Sequence, residues 1–275
     1  MRGIASYAML GRRQSIITVL LCGFFPLLYC ISAGVVGLVS LRKGWREGLL
    51  ILLWSMLPAG YFWAIGDASP MILMIGVALL SQVLRRSNAW HPVLTAAVVM
   101  GILVQLSLAW QTAYVEQLRA IINQALEIER NQGMTIEATA DDAVTLLLRY
   151  YGLYHMVLVI LCLLLARWWQ ALLYNPGGFG EEFRQLRLDP RFALLLVILM
   201  GAGLLSVPPL NQWLAILSVP PLISALALAH SVVALKKLGS HWLVLCYALV
   251  VLMAPALVIL GLLDSLLDFR KRITV

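Results

Sequence analysis

The sequence predicts an all-α, polytopic integral membrane protein, and three observations support this prediction. Of the 275 residues, 62% are hydrophobic and 12% are charged, whereas soluble domains carry about 25% charged residues. The mean hydropathy is +0.91. Apolar runs that approach the length of a membrane-spanning helix, about 20 residues, recur along the chain. We therefore expect residues 1–275 to form a single transmembrane domain.

The net charge of +7 is concentrated in short basic clusters between the apolar runs. Such clusters orient membrane spans, so they predict anionic lipid headgroups as a partner and not nucleic acid. The clusters are Arg12-Arg13, Arg42-Lys43, Arg85-Arg86, Lys236-Lys237 and Arg270-Lys271-Arg272.

The first uncharged run, residues 14–41, is interrupted by Phe24-Phe25-Pro26. A single tilted span would place the two flanking basic clusters on opposite sides of the membrane. We therefore favour a re-entrant pair of half-helices hinged at Pro26. Three spans follow, of which the first contains Pro58 as a kink and the second is short; they cover residues 48–66, 71–84 and 92–114.

Residues 115–149 differ in character and contain six of the thirteen acidic residues. Apolar residues recur at helical spacing from Val115 to Leu126, which predicts an amphipathic helix that ends near Asn131. Thr139 is a candidate N-cap for a second helix. The alternation of spans places this acidic, extramembrane insertion on the outside.

The second half contains a span, a loop and a long uncharged segment. The span covers residues 150–166, and the loop, which is rich in turn signals, covers residues 175–190. Residues 192–235 carry no formal charge and are long enough for two spans, which separate at Pro208-Pro209. A last span covers residues 238–263.

Prolines determine whether these last segments cross the membrane or turn back within it. Pro220-Pro221 should break its span into halves, and Pro255 lies inside the last span. If every segment crosses, Lys236-Lys237 lies inside and the basic C-terminal tail lies outside. If the segment at Pro220-Pro221 is re-entrant, the two exchange sides; we favour this arrangement, because three basic residues in the tail outweigh the lysine pair. Broken helices also commonly line binding sites in membrane proteins.

The sequence contains no recognisable catalytic or cofactor-binding motif. The phosphate-binding, serine-hydrolase and zinc-peptidase patterns are missing, and no cysteine pair has the spacing of metal ligands. We therefore expect no enzymatic activity, no catalytic residues, no metal and no cofactor.

Five residues are candidates for contact with a ligand. His155 and His230 lie within apolar runs, where a polar side chain usually faces a protein interior or a cavity; a satisfied interhelical hydrogen bond is the alternative. Arg149 precedes three nearby tyrosines and is a candidate for the mouth of an outward-facing pocket or for an interfacial anchor. Trp54 and Trp63 are candidates to line the cavity, with ordinary packing as the alternative.

Asp264 and Asp268 lie one helical turn apart, with Arg270 close by. These three residues are candidates for local ion pairs or for holding a partner helix. A catalytic pair of carboxylates is the weakest alternative.

Three segments carry a family resemblance: residues 38–49 (LVSLRKGWREGL), 179–188 (FGEEFRQLRL) and 261–270 (GLLDSLLDFR). In these the chain resembles the YybS-like family of bacterial multi-pass membrane proteins, whose function is unassigned. That family is distantly similar to the substrate-binding S components of energy-coupling-factor importers and to the cell-shape protein MreD. The resemblance implies a compact six-helix-type bundle in the bacterial cytoplasmic (inner) membrane, with both termini cytoplasmic. The insertion at 115–149 departs from the pattern, and no vitamin-binding residues carry over.

Two functions are compatible with these observations. The first is a solute- or lipid-binding, transport-type component, with a cavity between proline-broken helices that opens toward the acidic outer segment. The second is a non-enzymatic scaffold or assembly protein, in the manner of MreD, that holds other inner-membrane proteins. Membrane lipids are a partner in both cases.

Overall fold

The computed structural model describes residues 2–132 and 139–273, and all regular structure in this part of the chain is helical. The helices of the first half are α1 (Arg2–Leu10), α2 (Arg12–Gly23), α3 (Tyr29–Lys43), α4 (Trp45–Ala64), α5 (Ser69–Ser87), α6 (Trp90–Ser107), α7 (Thr112–Asn131) and α8 (Ala140–Arg149). Those of the second half are α9 (Tyr151–Tyr174), α10 (Gly178–Gln185), α11 (Pro190–Leu204), α12 (Leu210–Leu235), α13 (His241–Leu249), α14 (Ala254–Leu267) and α15 (Phe269–Ile273).

Five helices are long and apolar enough to cross a membrane: α4, α5, α6 with a short 3₁₀ extension to Trp110, α9 and α12. Helices α13 and α14 pass the same test only as a pair, and they are bent by 115°. The predicted all-helical class is therefore confirmed for the described residues, with five candidate membrane-spanning helices. Helix α5 is longer than its predicted apolar run, because it continues through Arg85 and Arg86, whose charge is favourable at a helix C-terminus.

Helix α3 lies at the centre of the bundle. Its residues 32–41 are all buried, and it packs against α2, α4, α5 and α9. Small residues allow this close approach: a Cβ atom added to Gly37 would lie 2.8 Å from the Cβ of Ala166 and 2.9 Å from Cγ1 of Val77.

Helices α2 and α3 form an antiparallel hairpin that turns at residues 24–28. The Ser32 hydroxyl of α3 donates to the Val19 carbonyl of α2 at 3.0 Å. Arg12, at the start of α2, forms a bidentate ion pair with Glu47, just beyond the end of α3. The two basic clusters that flank the hairpin therefore lie at the same end of the bundle, as the sequence predicted.

This end, which we call the basic end, collects arginines from several helices. Arg85 donates to the Leu41 carbonyl at the end of α3, and Arg167 of α9 pairs with Glu182 of α10. The opposite end, which we call the tyrosine end, is defined by Tyr29, Tyr114, Tyr151 and Tyr154. There the Tyr29 and Tyr154 hydroxyls lie 3.4 Å apart, and the rings of Tyr114 and Tyr151 are in contact.

Helix α12 runs without interruption through Pro220 and Pro221, so the predicted break was wrong. Prolines are tolerated inside membrane helices where neighbouring helices support the backbone. Here α14 packs directly on this turn, because a Cβ added to Gly261 would lie 1.9 Å from the Pro221 carbonyl oxygen. A break does occur at Pro208-Pro209, between α11 and α12, as predicted.

The last apolar segment enters and leaves at the basic end. Leu235, at the end of α12, and Arg270, just after α14, line the same cleft. The bent pair α13–α14 therefore returns to the end from which it started. The predicted last span is therefore not one continuous helix, because it breaks before Pro255 and bends by 115°.

The insertion consists of α7 and α8. Helix α7 ends at Asn131, and Thr139 caps α8 in a reciprocal capping box with Asp142. The predicted end of α7 and the predicted N-cap of α8 are therefore confirmed. Gly133 and Glu137 lie outside the described residues. The predicted loop over residues 175–190 was wrong in one respect, because it contains α10. Phe179 and Phe183, one turn apart, pack α10 against the core.

Candidate functional site

Three clefts surround the C-terminal half of α12 at the basic end. The first, the apolar cleft, has a volume of about 550 Å³ and lies between α12 and both halves of the bent pair α13–α14. Leu228 of α12, Trp242 of α13, and Leu257 and Leu260 of α14 line it, together with Phe269. Its walls are almost wholly hydrophobic, which suits a hydrocarbon group.

The second, the charged cleft, has a volume of about 580 Å³ and lies on another side of the same half of α12. Three arginines, Arg184, Arg187 and Arg270, line it with the carboxylates of Glu181 and Asp268. The cleft therefore carries more cationic than anionic side chains, which favours an anionic ligand group.

Arg270 connects the charged cleft to the end of α14. Its guanidinium pairs with the fully buried carboxylate of Asp264 at 3.0 Å. It also donates to the backbone carbonyls of Arg184 and Leu186. The predicted structural pair is thus formed within the chain, where it fixes the connector between α10 and α11.

Asp268 pairs with Arg187 at 2.6 Å and with Lys271 at 3.0 Å. The hydrogen bond from Arg187, followed by that from Lys271, lowers the pKa of Asp268 from its ordinary value. Because the single carboxylate of Asp268 pairs with both Arg187 and Lys271, this side of the cleft retains a net positive charge.

The third, the aromatic cleft, has a volume of about 310 Å³ and contains the predicted ligand residue His230. The Nε2 atom of His230 lies 3.0 Å from the Tyr247 hydroxyl, and its ring packs edge-on against Phe183. Trp168 completes the aromatic wall. His230 thus forms the interhelical hydrogen bond considered from the sequence and also borders a cleft.

The other predicted ligand residues lie elsewhere. Trp54 and Trp63 are exposed on α4, and Arg149 is exposed at the end of α8. None of these three lines one of the clefts around α12. The structure therefore does not bring the five candidates together.

His155 is buried near the tyrosine end. Its Nδ1 atom lies 2.8 Å from the Tyr151 carbonyl oxygen, and its ring packs on Tyr151 and Tyr154. Its Nε2 atom has no hydrogen-bond partner within the described chain. No cleft around α12 reaches this side chain.

Sequence reasoning missed Arg184, Arg187, Trp242 and Tyr247. A signal for Arg184 was present, because Phe179 and Phe183 share a face of α10 one turn apart and Arg184 lies on its polar side; Arg187 lies in the connector after α10, where no such pattern exists. For Trp242 and Tyr247 no local signal exists, since their roles depend on the bend of α13–α14. Within residues 2–132 and 139–273, no group of His, Cys, Asp or Glu side chains is arranged to hold a metal ion.

Comparison with known proteins gave no match to a family model, to a curated protein or to a solved structure.

Proposed function

We propose that this chain is a multi-pass membrane protein that binds an amphipathic, lipid-like molecule at its basic end, as a binding or transport-type component. One observation carries the proposal: the consecutive residues Phe269 and Arg270 line the apolar and the charged cleft, respectively. A molecule with a hydrocarbon tail and an anionic head fits this adjacency, because each part meets the environment that stabilises it.

The position of the clefts supports a lipid-like ligand. The basic end corresponds to the cytoplasmic side by the positive-inside rule, in the bacterial inner membrane that the YybS-like resemblance implies. Arg12 and Arg270 both lie at this end, which supports a cytoplasmic position for the segments that carry them. At this level a bilayer presents anionic headgroups above acyl chains.

The bent pair α13–α14 forms a re-entrant wall of the apolar cleft. Such non-spanning segments are typical of membrane proteins that bind a ligand between broken helices. Helix α13 has no buried residues and contacts α12 through Tyr247 and His230, so most of its surface is open to a ligand or to lipid. We take the apolar cleft as the cavity; it lies between the continuous helix α12 and the bent pair α13–α14, at the basic end and not toward the acidic insertion as the sequence had predicted.

The side chains of the charged cleft support binding and not catalysis. Arg270 and Arg187 are engaged in ion pairs with Asp264 and Asp268, and the lining contains no nucleophile paired with a base. The arrangement holds a charged group in place by electrostatic attraction and hydrogen bonds.

Lipid-dependent thermal stabilisation tests the proposal. Phosphatidylglycerol, added to the purified protein in mild detergent, should raise the unfolding temperature more than phosphatidylcholine does. Ala229→Trp fills the apolar cleft and should weaken this effect by roughly tenfold in apparent Kd, about 1.4 kcal/mol. Ala256→Trp, on an exposed face of α14 outside the cleft, is the matched control.

Three outcomes are informative. Loss of stabilisation in Ala229→Trp alone supports the apolar cleft as the site. Equal responses of both variants and of the unsubstituted protein contradict it. A preparation that responds to no lipid but retains a second membrane protein favours the scaffold function instead.

A further inference from the structure

Helix α7 begins against the tyrosine end of the bundle, and its first turns show which face is directed toward the membrane. The ring of Tyr114 lies 5.5 Å from that of Tyr151, at the start of α9. Gln117 donates to the Ile65 carbonyl at the end of α4 at 3.3 Å. The Tyr114 side of α7 is therefore turned toward the ends of the spans.

An apolar stripe continues from Tyr114 along the whole helix. It consists of Tyr114, Leu118, Ile121, Ala125 and Ile128, which alternate four and three residues apart and therefore share one face. Beyond the first turns this face leaves the bundle: Ile121 is 64% exposed and Ile128 is 51% exposed. The second half of α7 thus extends past the edge of the bundle with its apolar stripe uncovered by the described chain.

The remaining faces of α7 are accounted for. Helix α8 packs along one flank, where Arg119 pairs with Asp141 at 3.0 Å. The face opposite the stripe carries Glu116, Asn123 and Glu127, all exposed. Helix α7 is therefore amphipathic, with its polar face directed away from the spans.

We propose that α7 is an interfacial helix that overhangs the bundle and rests its apolar stripe on the lipid leaflet at the tyrosine end. The lipid surface is the occupant, because the stripe lies on the side of α7 that contacts the span ends through Tyr114 and Gln117. Trp110, 81% exposed at the end of the preceding span, marks the interfacial level just before α7 starts. This inference is independent of the ligand proposed for the basic end.

The charge on the polar face of α7 predicts whether its contact with the membrane requires anionic lipids. Interfacial helices that depend on anionic lipids carry Lys and Arg on the polar face, whereas α7 carries carboxylates there. Its attachment therefore rests on burial of the apolar stripe and should persist in zwitterionic phosphatidylcholine and at high salt.

Spin-label accessibility in phosphatidylcholine nanodiscs tests the proposal with matched pairs of neighbours. Labels are placed on the stripe by Ile121→Cys and Ile128→Cys, and on the polar side by Ala120→Cys and Glu127→Cys, in a chain whose four native cysteines are replaced by alanine. All four positions are exposed. We expect a severalfold higher ratio of oxygen to nickel-chelate accessibility at residues 121 and 128 than at residues 120 and 127, because oxygen concentrates in lipid.

Equal, water-like accessibility at all four positions would overturn the proposal. Dipolar broadening between labels at residue 121 in discs that hold two copies would overturn it as well, since a second copy would then cover the stripe. Hydroxyl-radical labelling of the unsubstituted protein needs no cysteine replacement and gives an independent check. It should leave Ile121 and Ile128 protected in nanodiscs, and their modification at the rate of an exposed isoleucine would contradict the proposal.

Discussion

Arg270 and Asp264 form an ion pair in which the carboxylate is completely buried and the guanidinium is only 14% exposed. The same guanidinium donates to the Arg184 carbonyl in the last turn of α10 and to the Leu186 carbonyl just beyond it. One side chain therefore joins the end of α14 to the segment that carries Arg184 and Arg187, and thereby shapes the charged cleft.

Removing Arg270 should be strongly destabilising. In Arg270→Ala the buried carboxylate of Asp264 loses its cation, which costs about 3 kcal/mol or more. Denaturation in detergent measures this loss, and Arg13→Ala, an exposed arginine at the same end, is the control. The double variant Asp264→Leu with Arg270→Met should recover much of the stability; a loss in Arg270→Ala no larger than in the control would contradict the role assigned to the pair.

Asp268 should make stability depend on pH. Its pKa is lowered in the folded protein, chiefly by Arg187, so its contribution is present above the unfolded pKa of about 3.9 and is lost as the pH falls through the folded value. Asp268→Asn should therefore lower the unfolding temperature at neutral pH. The difference from the unsubstituted protein should disappear at strongly acidic pH, and a difference that stays constant down to low pH would refute this assignment.

Gly261 should tolerate no side chain. A Cβ at this position would lie 1.9 Å from the Pro221 carbonyl oxygen, whereas a Cβ at Gly201 would meet nothing within 4 Å. Gly261→Ala should cost about 1–3 kcal/mol by forcing α14 away from α12, while Gly201→Ala should be neutral or slightly stabilising. Equal unfolding temperatures for the two variants would show that the helices are not in this contact.

Both ends of the α13–α14 pair should be accessible from one side of the membrane. Single cysteines at Lys236→Cys and Lys271→Cys, in the chain without native cysteines, should react with an impermeant maleimide in inside-out vesicles and not in right-side-out ones. Gln124→Cys, exposed on α7, should show the reverse pattern. Labelling of residues 236 and 271 from opposite sides would establish a full last span.

The sequence predicted those features of the fold that depend on residues close together in the chain. The all-helical class follows from apolar runs, the cap of α8 from Thr139 and Asp142, and the clustering of Arg12 with Arg42 from charge at the ends of one run. The continuity of α12 was not predictable, because it depends on the contact of Pro221 with Gly261, forty residues later in the chain.

The site was less predictable than the fold. Its clefts are assembled from α9, α10, α12 and the bent pair α13–α14, which are distant in sequence and meet only in the folded chain. Of the candidate ligand residues, His230 lies at a cleft, while Trp54 and Trp63 face outward on α4. A polar or aromatic residue in an apolar run signals burial or contact with lipid, but it does not reveal which helices converge on it.

Native mass spectrometry of the unsubstituted protein in mild detergent tests the central claim most directly. If the clefts around α12 bind an amphipathic molecule, the spectrum should show a bound species of discrete, lipid-like mass that survives removal of the detergent and is lost in Ala229→Trp but kept in Ala256→Trp. A bare chain in all three preparations, after exposure to phosphatidylglycerol, would contradict the claim.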